Sequence, residues 1–157
     1  QYGWGILAGL EASHVVVFLA RKKADLEFDS PYIRHIQEEV KQLPPEVDAA
    51  YRQKYAQFTT EDYKTFESER AAFDWSSKQA YIVMSNMMTM AAYEGLDSCP
   101  MEGFNQDKMT AFLGDELGLF DTNRFGIAVM AAFGYRDEKP HRNKTRRTLD
   151  EIVQVVE

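Results

Sequence analysis

One cysteine, Cys99, in 157 residues leaves nothing from which to build an internal disulfide framework, and it fits a reducing compartment. Positive charge is also short. Lys and Arg number 18 against 25 Asp and Glu, a net charge of −7, which disfavours nucleic acid or an anionic membrane as a general partner. Long hydrophobic stretches are missing too: "SHVVVFLA" (Ser13–Ala20) is too short to span a bilayer. The opening "QYGWGILAGLEAS" has neither a basic n-region nor a small-residue cleavage site, so no signal peptide is expected. It starts at glutamine, as a processed, truncated or partly ordered chain would. The three histidines, His14, His35 and His141, lack the paired spacing of a metal site. No serine sits in a nucleophile elbow, and no spacing of carboxylates marks a catalytic pair. These absences predict a cytoplasmic protein with no metal and no self-sufficient catalytic side chains. It either borrows a cofactor or performs no catalysis.

Hydrophobic residues make up 45 % of the chain and charged residues 27 %, the balance of one compact domain over residues 1–157. Val15–Ala20 is β-branched and apolar and reads as a buried central strand. Gly3-x-Gly5-x-x-Ala8 superficially matches a dinucleotide fingerprint, but it lacks the preceding strand that fingerprint needs. Ser30 and Pro31 open a helix reaching about Leu43, with Ile33, Ile36 and Val40 on one face, and Pro44-Pro45 stops it. A second helix is predicted over Ala49–Phe58. Its aromatics Tyr51, Tyr55 and Phe58 serve either core packing or a lid over a planar ligand. Thr60 is a candidate cap for the segment that follows.

"KQAYIVMSNMMTMAAYEGL" is apolar on so many sides that its helix should be buried on several of them, and Gly95 stops it. Asn105 caps a helix to Leu117, ended by Gly118, and Phe125–Tyr135 forms a second buried strand. A basic run, "RDEKPHRNKTRR", precedes a capping box, Thr148 with Glu151, and an amphipathic ending.

Between the long helix and the Asn105 cap lies "DSCPMEGF" (Asp97–Phe104). Proline and glycine three residues apart suit neither a helix nor a strand interior. Pro100 stiffens the turn, Gly103 permits close backbone approach, and the amides of Glu102 and Gly103 remain as donors. Such a turn serves either as a plain connection or as a cradle for a flat cofactor. Cys99 beside Pro100 is either a reactive thiol or inert packing.

"GLDSCPMEGF", the strand ending "FGY" and the "NKTRR" loop, with "EASHVVVFLARK" and "DWSSKQAYIVMSNMMTMAA", resemble the FMN-dependent nitroreductase family along nearly the whole chain. The resemblance implies an α+β nitroreductase-like fold: a central mixed sheet flanked by helices, with a long buried dimer-interface helix. It implies an intertwined homodimer with two FMN sites between subunits. It also implies hydride transfer from NADH or NADPH through FMN to quinone, nitroaromatic or similar acceptors by a ping-pong cycle. Residue by residue, Glu102 and Gly103 would line the flavin, with a backbone N–H near its N5. Pro100 and Met101 would pack against the ring, and Gln79 would lie near it. Lys144 and Arg146 would hold the phosphate. The family's opening Arg-x-Ser segment and Ser-rich turn before Pro-Trp have no counterpart here. Polar residues that often face the flavin ahead of the first strand appear as Gly5 and Ala8. The alternative is a non-catalytic relative, a flavin-binding or dimeric structural protein without that segment.

Overall fold

The computed structural model describes residues 7–137, 139 and 142–156. Gly3 and Gly5 of the glycine pattern, and His141, lie outside them. After a short helix α1 (Leu7–Leu10) come β1 (His14–Arg21), β2 (Asp97–Met101) and β3 (Phe125–Gly134), forming one sheet in the order β1-β3-β2. Both pairings are antiparallel, so the parallel pair of a mixed sheet is not among the described strands.

The central strand is β3 and not β1, which corrects the expectation for Val15–Ala20. Seven of its ten residues, the run "GIAVMAA" (Gly126–Ala132), are buried, whereas β1 is mostly half-buried. A strand buried on both faces reads as an unbroken apolar run, and "FGIAVMAAFG" does. Phe18 opposes Val129 and Leu19 opposes Ile127, so Ala128 is an extra residue in β3, a β-bulge. The bulge resets the alternation. Ala128, Val129 and Ala131 share one cluster with Phe18 and Ala20, while Ile127, Met130 and Ala132 join the other.

Helices cover the two faces. The long helix, here α5 (Glu69–Tyr93), follows α2 (Lys23–Leu26), α3 (Pro31–Arg34) and α4 (Pro45–Gln57) in the chain. It packs Ala80 and Met84, with Phe73 and Met88, on the first face. α6 (Gln106–Thr110) and the π-helical turn Ala111–Glu116 cover the second with Met109, Phe112 and Leu113. Gly126 admits the Phe73 ring, because a Cβ there would stand 2.9 Å from it.

Caps mark several ends as expected. Asn105 Oδ1 accepts from Lys108 N at 2.9 Å, Ser30 Oγ accepts from Ile33 N at 3.1 Å, and Gly95 stops α5 at φ +76°. Other boundaries differ. α5 starts at Glu69, where Ser68 Oγ accepts from Ala71 N, and Thr60 caps nothing: its hydroxyl donates back to Ala56 O. α3 passes into a π-helical turn, His35–Val40, closed by Lys41 N donating to Ile36 O at 2.8 Å. That extra residue per turn rotates the following side chains. Gln37 takes the buried place and Val40 is left exposed. α4 begins at Pro45 itself, and its aromatics pack with Phe66 and Trp75, so core packing is the arrangement seen. The capping box of Thr148 and Glu151 is present, but only on a three-residue 3-10 turn, and the expected amphipathic ending is an exposed tail without regular structure up to Val156.

α5 buries one stripe, Ala72, Ser77, Ala80, Met84 and Ala91, not several sides. Val83, Met87 and Met90, at i, i+4 and i+7, form a second apolar stripe that stays exposed in the single chain. No helix of the described residues is long and apolar enough to cross a membrane.

One ionic cluster ties the sheet ends to the helices. Asp25 on α2 accepts from Arg21 at the end of β1 and from Arg124 Nε, 3.1 Å away, just before β3. Ser30 Oγ donates to Asp25 O, Ser76 Oγ of α5 donates to Arg21 O, and the Arg21 guanidinium lies 3.6 Å from the Tyr32 ring centroid. Asp25 is buried, so removing it strands two guanidiniums at a junction of five segments. Asp25→Ala should lower the unfolding free energy in urea by about 2 kcal/mol, discounting for the half-exposed Arg124. Arg70→Ala, which breaks the exposed pair with Asp74, should cost less than about 0.5 kcal/mol. Equal small losses in both would show that the Asp25 cluster anchors nothing.

Candidate functional site

β2 has β3 on one side only among the described residues, and this accounts for its proline. Pro100 stands opposite Ala131 and has no N–H to donate, so it occupies a position whose nitrogen points to the open edge. "DSCPM" is therefore strand, not the turn that proline and glycine suggested. The turn begins one residue later. Phe104 N donates to Glu102 O at 2.8 Å, closing a three-residue turn around Gly103. The amides of Glu102 and Gly103 have no acceptor among the described residues.

Beside this edge runs an open groove of ≈1450 Å³. One wall is α5 from Met84 to Tyr93, and the floor is the end of β3 with Ser98, Cys99 and Pro100 of β2. Glu11, Ala12 and Ser13 close another side, and Tyr135, Arg136, Asp137 and Lys144 form the rim. Ser13 Oγ donates to Phe133 O at 3.0 Å and fixes the segment entering β1. Of the site residues drawn from the sequence, Pro100 and Lys144 meet in this groove.

The others lie elsewhere. Met101 is 3 % exposed, with Met109, Ile127 and Met130 around it, and a Cβ on Gly9 would collide with its Sδ. Its side chain therefore belongs to the core of this subunit and does not line the groove. Glu102 and Gly103 form the turn at the groove's neighbouring edge, and Gln79 is exposed on α5. Arg146 is exposed, its Nη1 donating to Thr145 O at 2.7 Å, and it does not line the groove. Cys99 is exposed on the floor, so it is not inert packing.

Two side-chain links were not visible in the sequence. The Tyr81 hydroxyl of α5 donates to Glu102 Oε1. Partial burial first, then that hydrogen bond and the carboxylate charge, push the phenol up to about 12. Arg136 donates to Asp97 through Nε at 2.5 Å and Nη2 at 2.8 Å. Those hydrogen bonds, then the charges of Arg136 and more weakly Lys144, hold the Asp97 carboxyl below its usual range. Arg136 is thus committed to Asp97, and among the described residues Lys144 is the rim cation left to meet a ligand. Among the described residues no cluster of His, Cys, Asp and Glu could hold a metal ion.

A model described as the nitroreductase family matches residues 7–135. The chain belongs to the nitroreductase family. Two relatives carry names that assign them provisionally as NAD(P)H nitroreductases. One, from Staphylococcus aureus (strain USA300), is 42 % identical over 99 % of this chain and 68 % of its own length. The other, YfkO of Bacillus subtilis (strain 168), is 45 % identical over 99 % of this chain and 70 % of its own. A structure from Exiguobacterium sibiricum, solved in complex with FMN, shares the fold with a TM-score of 0.67 at 16 % identity, over 98 % of this chain and 67 % of that one. The chain thus spans about two thirds of the length of the proteins it matches. Nitroreductases are oxidoreductases, and the α+β fold of this member is theirs.

The rim pair yields a titration with a definite sign. A carboxyl depressed in the folded state stabilises it above the unfolded pKa, and that stability is lost as pH falls through the folded value. Arg136→Ala should move Asp97 upward in an NMR titration, towards 3.8. Stabilities of parent and variant should converge below the parent's Asp97 midpoint. An unmoved Asp97 would show that Arg136 does not hold it.

Proposed function

We propose that this nitroreductase is an FMN-dependent enzyme of the cytoplasm. It takes reducing equivalents from NADH or NADPH and delivers them to quinone, nitroaromatic or similar acceptors in two alternating half-reactions. The observation that carries this reading is the pair of amides at Glu102 and Gly103, unpaired among the described residues, beside an apolar-walled groove whose uncommitted described cation is Lys144. Bound there, FMN would supply the two-electron chemistry that the side chains lack. The residues fit such a group in kind. The Glu102 and Gly103 amides can donate to acceptor atoms on the edge of a planar ring, Pro100 offers an apolar contact, and Lys144 offers charge to a phosphate. Gln79 and Arg146 belong to this site only by resemblance.

The non-catalytic alternative draws on Arg146, whose place outside the groove leaves Lys144 alone on the phosphate. Purified protein that takes up FMN and bleaches under NADPH supports the enzyme. Protein that binds FMN without bleaching supports a binding module, and uptake of no flavin supports a dimeric structural relative.

The exposed stripe of Val83, Met87 and Met90 supports the further reading that the enzyme is a homodimer. An apolar surface of this kind on a lone chain would promote aggregation, and a second copy covers it. Ala91 takes no part in this stripe, because it is buried in its own subunit.

Lys144→Ala should weaken FMN roughly ten-fold, the worth of one charge-assisted hydrogen bond, and leave riboflavin unchanged, since only FMN has the phosphate. Equal effects on both flavins would move the phosphate elsewhere. Val83→Glu with Met90→Glu should convert the dimer to monomer on size exclusion and release flavin with it. A soluble monomer with bound flavin and full turnover would refute the shared interface.

A further inference from the structure

α5 and the Glu102–Gly103 turn meet through one side-chain hydrogen bond, and its two ends differ in rigidity. Tyr81 sits mid-helix between Ala80 and Met84, both buried in the core, so its phenol projects from a fixed platform. Glu102 is the first residue beyond β2 and belongs to no regular element. Its carbonyl is held by Phe104 N, and its carboxylate by the Tyr81 hydroxyl. The carbonyl shares its peptide plane with the Gly103 amide, so the bond from Phe104 N holds that amide's plane, while core-bound Met101 on one side and the anchored carboxylate on the other restrict the plane carrying the Glu102 amide.

We propose that Tyr81 is a positioning residue of this site: by holding the Glu102 carboxylate, it aims the Glu102 and Gly103 amides at the bound ring. This rests on reading the turn as the flavin-facing edge. A free carboxylate at this place could swing towards a ring that gains electrons, where its charge would oppose reduction. The phenol prevents that. It is still protonated at neutral pH, with its ionisation pushed up to about 12, so the donor is present throughout the working range.

The link itself is read without flavin. In flavin-free protein, ultraviolet titration of the Tyr81 phenol, assigned by difference from Tyr81→Phe, should show its ionisation falling on Glu102→Ala. The fall should be partial, because burial also contributes. In FMN-loaded protein, Tyr81→Phe and Glu102→Ala should each slow bleaching at saturating NADPH roughly ten-fold, the scale of one hydrogen bond to a charged group. KM for NADPH and thermal stability should stay near the parent's. The double variant should be no slower than either single one, and Glu102→Gln, which keeps an acceptor oxygen, should retain most of the rate. Parent rates in Tyr81→Phe, additive losses, or a Glu102→Gln as slow as Glu102→Ala would each overturn the positioning role while leaving the flavin reading intact. Protein that takes up no FMN would overturn the flavin reading and this role together, even with the phenol shift observed.

Discussion

Burial of β3 on both faces is the constraint on which the rest of the fold depends. Ile127, Val129 and Ala131 are fully enclosed, with α5 on one side and α6 and its π-helical continuation on the other. Neither helix layer could shift without opening space beneath it, and interiors packed at crystal-like density tolerate little of that. The bulge at Ala128 shows how tightly the two layers are fitted. One added residue puts the successive Ala128 and Val129 both on the α5 face, with Ile127 and Met130 on the α6 face to either side of them.

The site inherits its geometry from this packing. β2 is held in register by β3 along Asp97–Met101, and Met101 locks its end by entering the core below. The backbone leaving β2 therefore emerges at a fixed point, and the Glu102–Gly103 turn is set beside the groove by the sheet. Local sequence preference plays little part in that. The rim is set electrostatically: Asp97 occupies Arg136, so charge available for a ligand is concentrated at Lys144.

Much of the scaffold was legible in the sequence because its signals are local. Strands β1 and β3 are unbroken apolar runs, and Ser30, Asn105, Gly95 and Gly118 mark ends through bonds or dihedrals spanning a few residues. What escaped reading depends on distant partners. Pro100 looked like a turn residue because nothing local says that β2 is an edge. The π-helical turn at His35–Val40 broke the 3.6-residue period that had put Val40 inward. Tyr81 and Glu102 are 21 positions apart, and Asp97 and Arg136 are 39 apart, too far for any motif to pair them. Of the residues drawn from the sequence, Pro100 and Lys144 line the groove. Met101 turns into the core and not the groove because strand alternation, not proximity in sequence, decides which way a side chain points.

Pro100 has one more consequence, and it concerns what the edge refuses. An exposed strand edge offers a row of donors and acceptors on which any extended peptide can dock. Among the described residues β2 has no second neighbour, and its row is interrupted because the position that should donate outward holds proline's tertiary amide nitrogen, which has no hydrogen. A passing chain would find no continuous ladder to extend, while a small ring needs no ladder at all. The edge can thus stay open to a compact molecule and closed to a polymer.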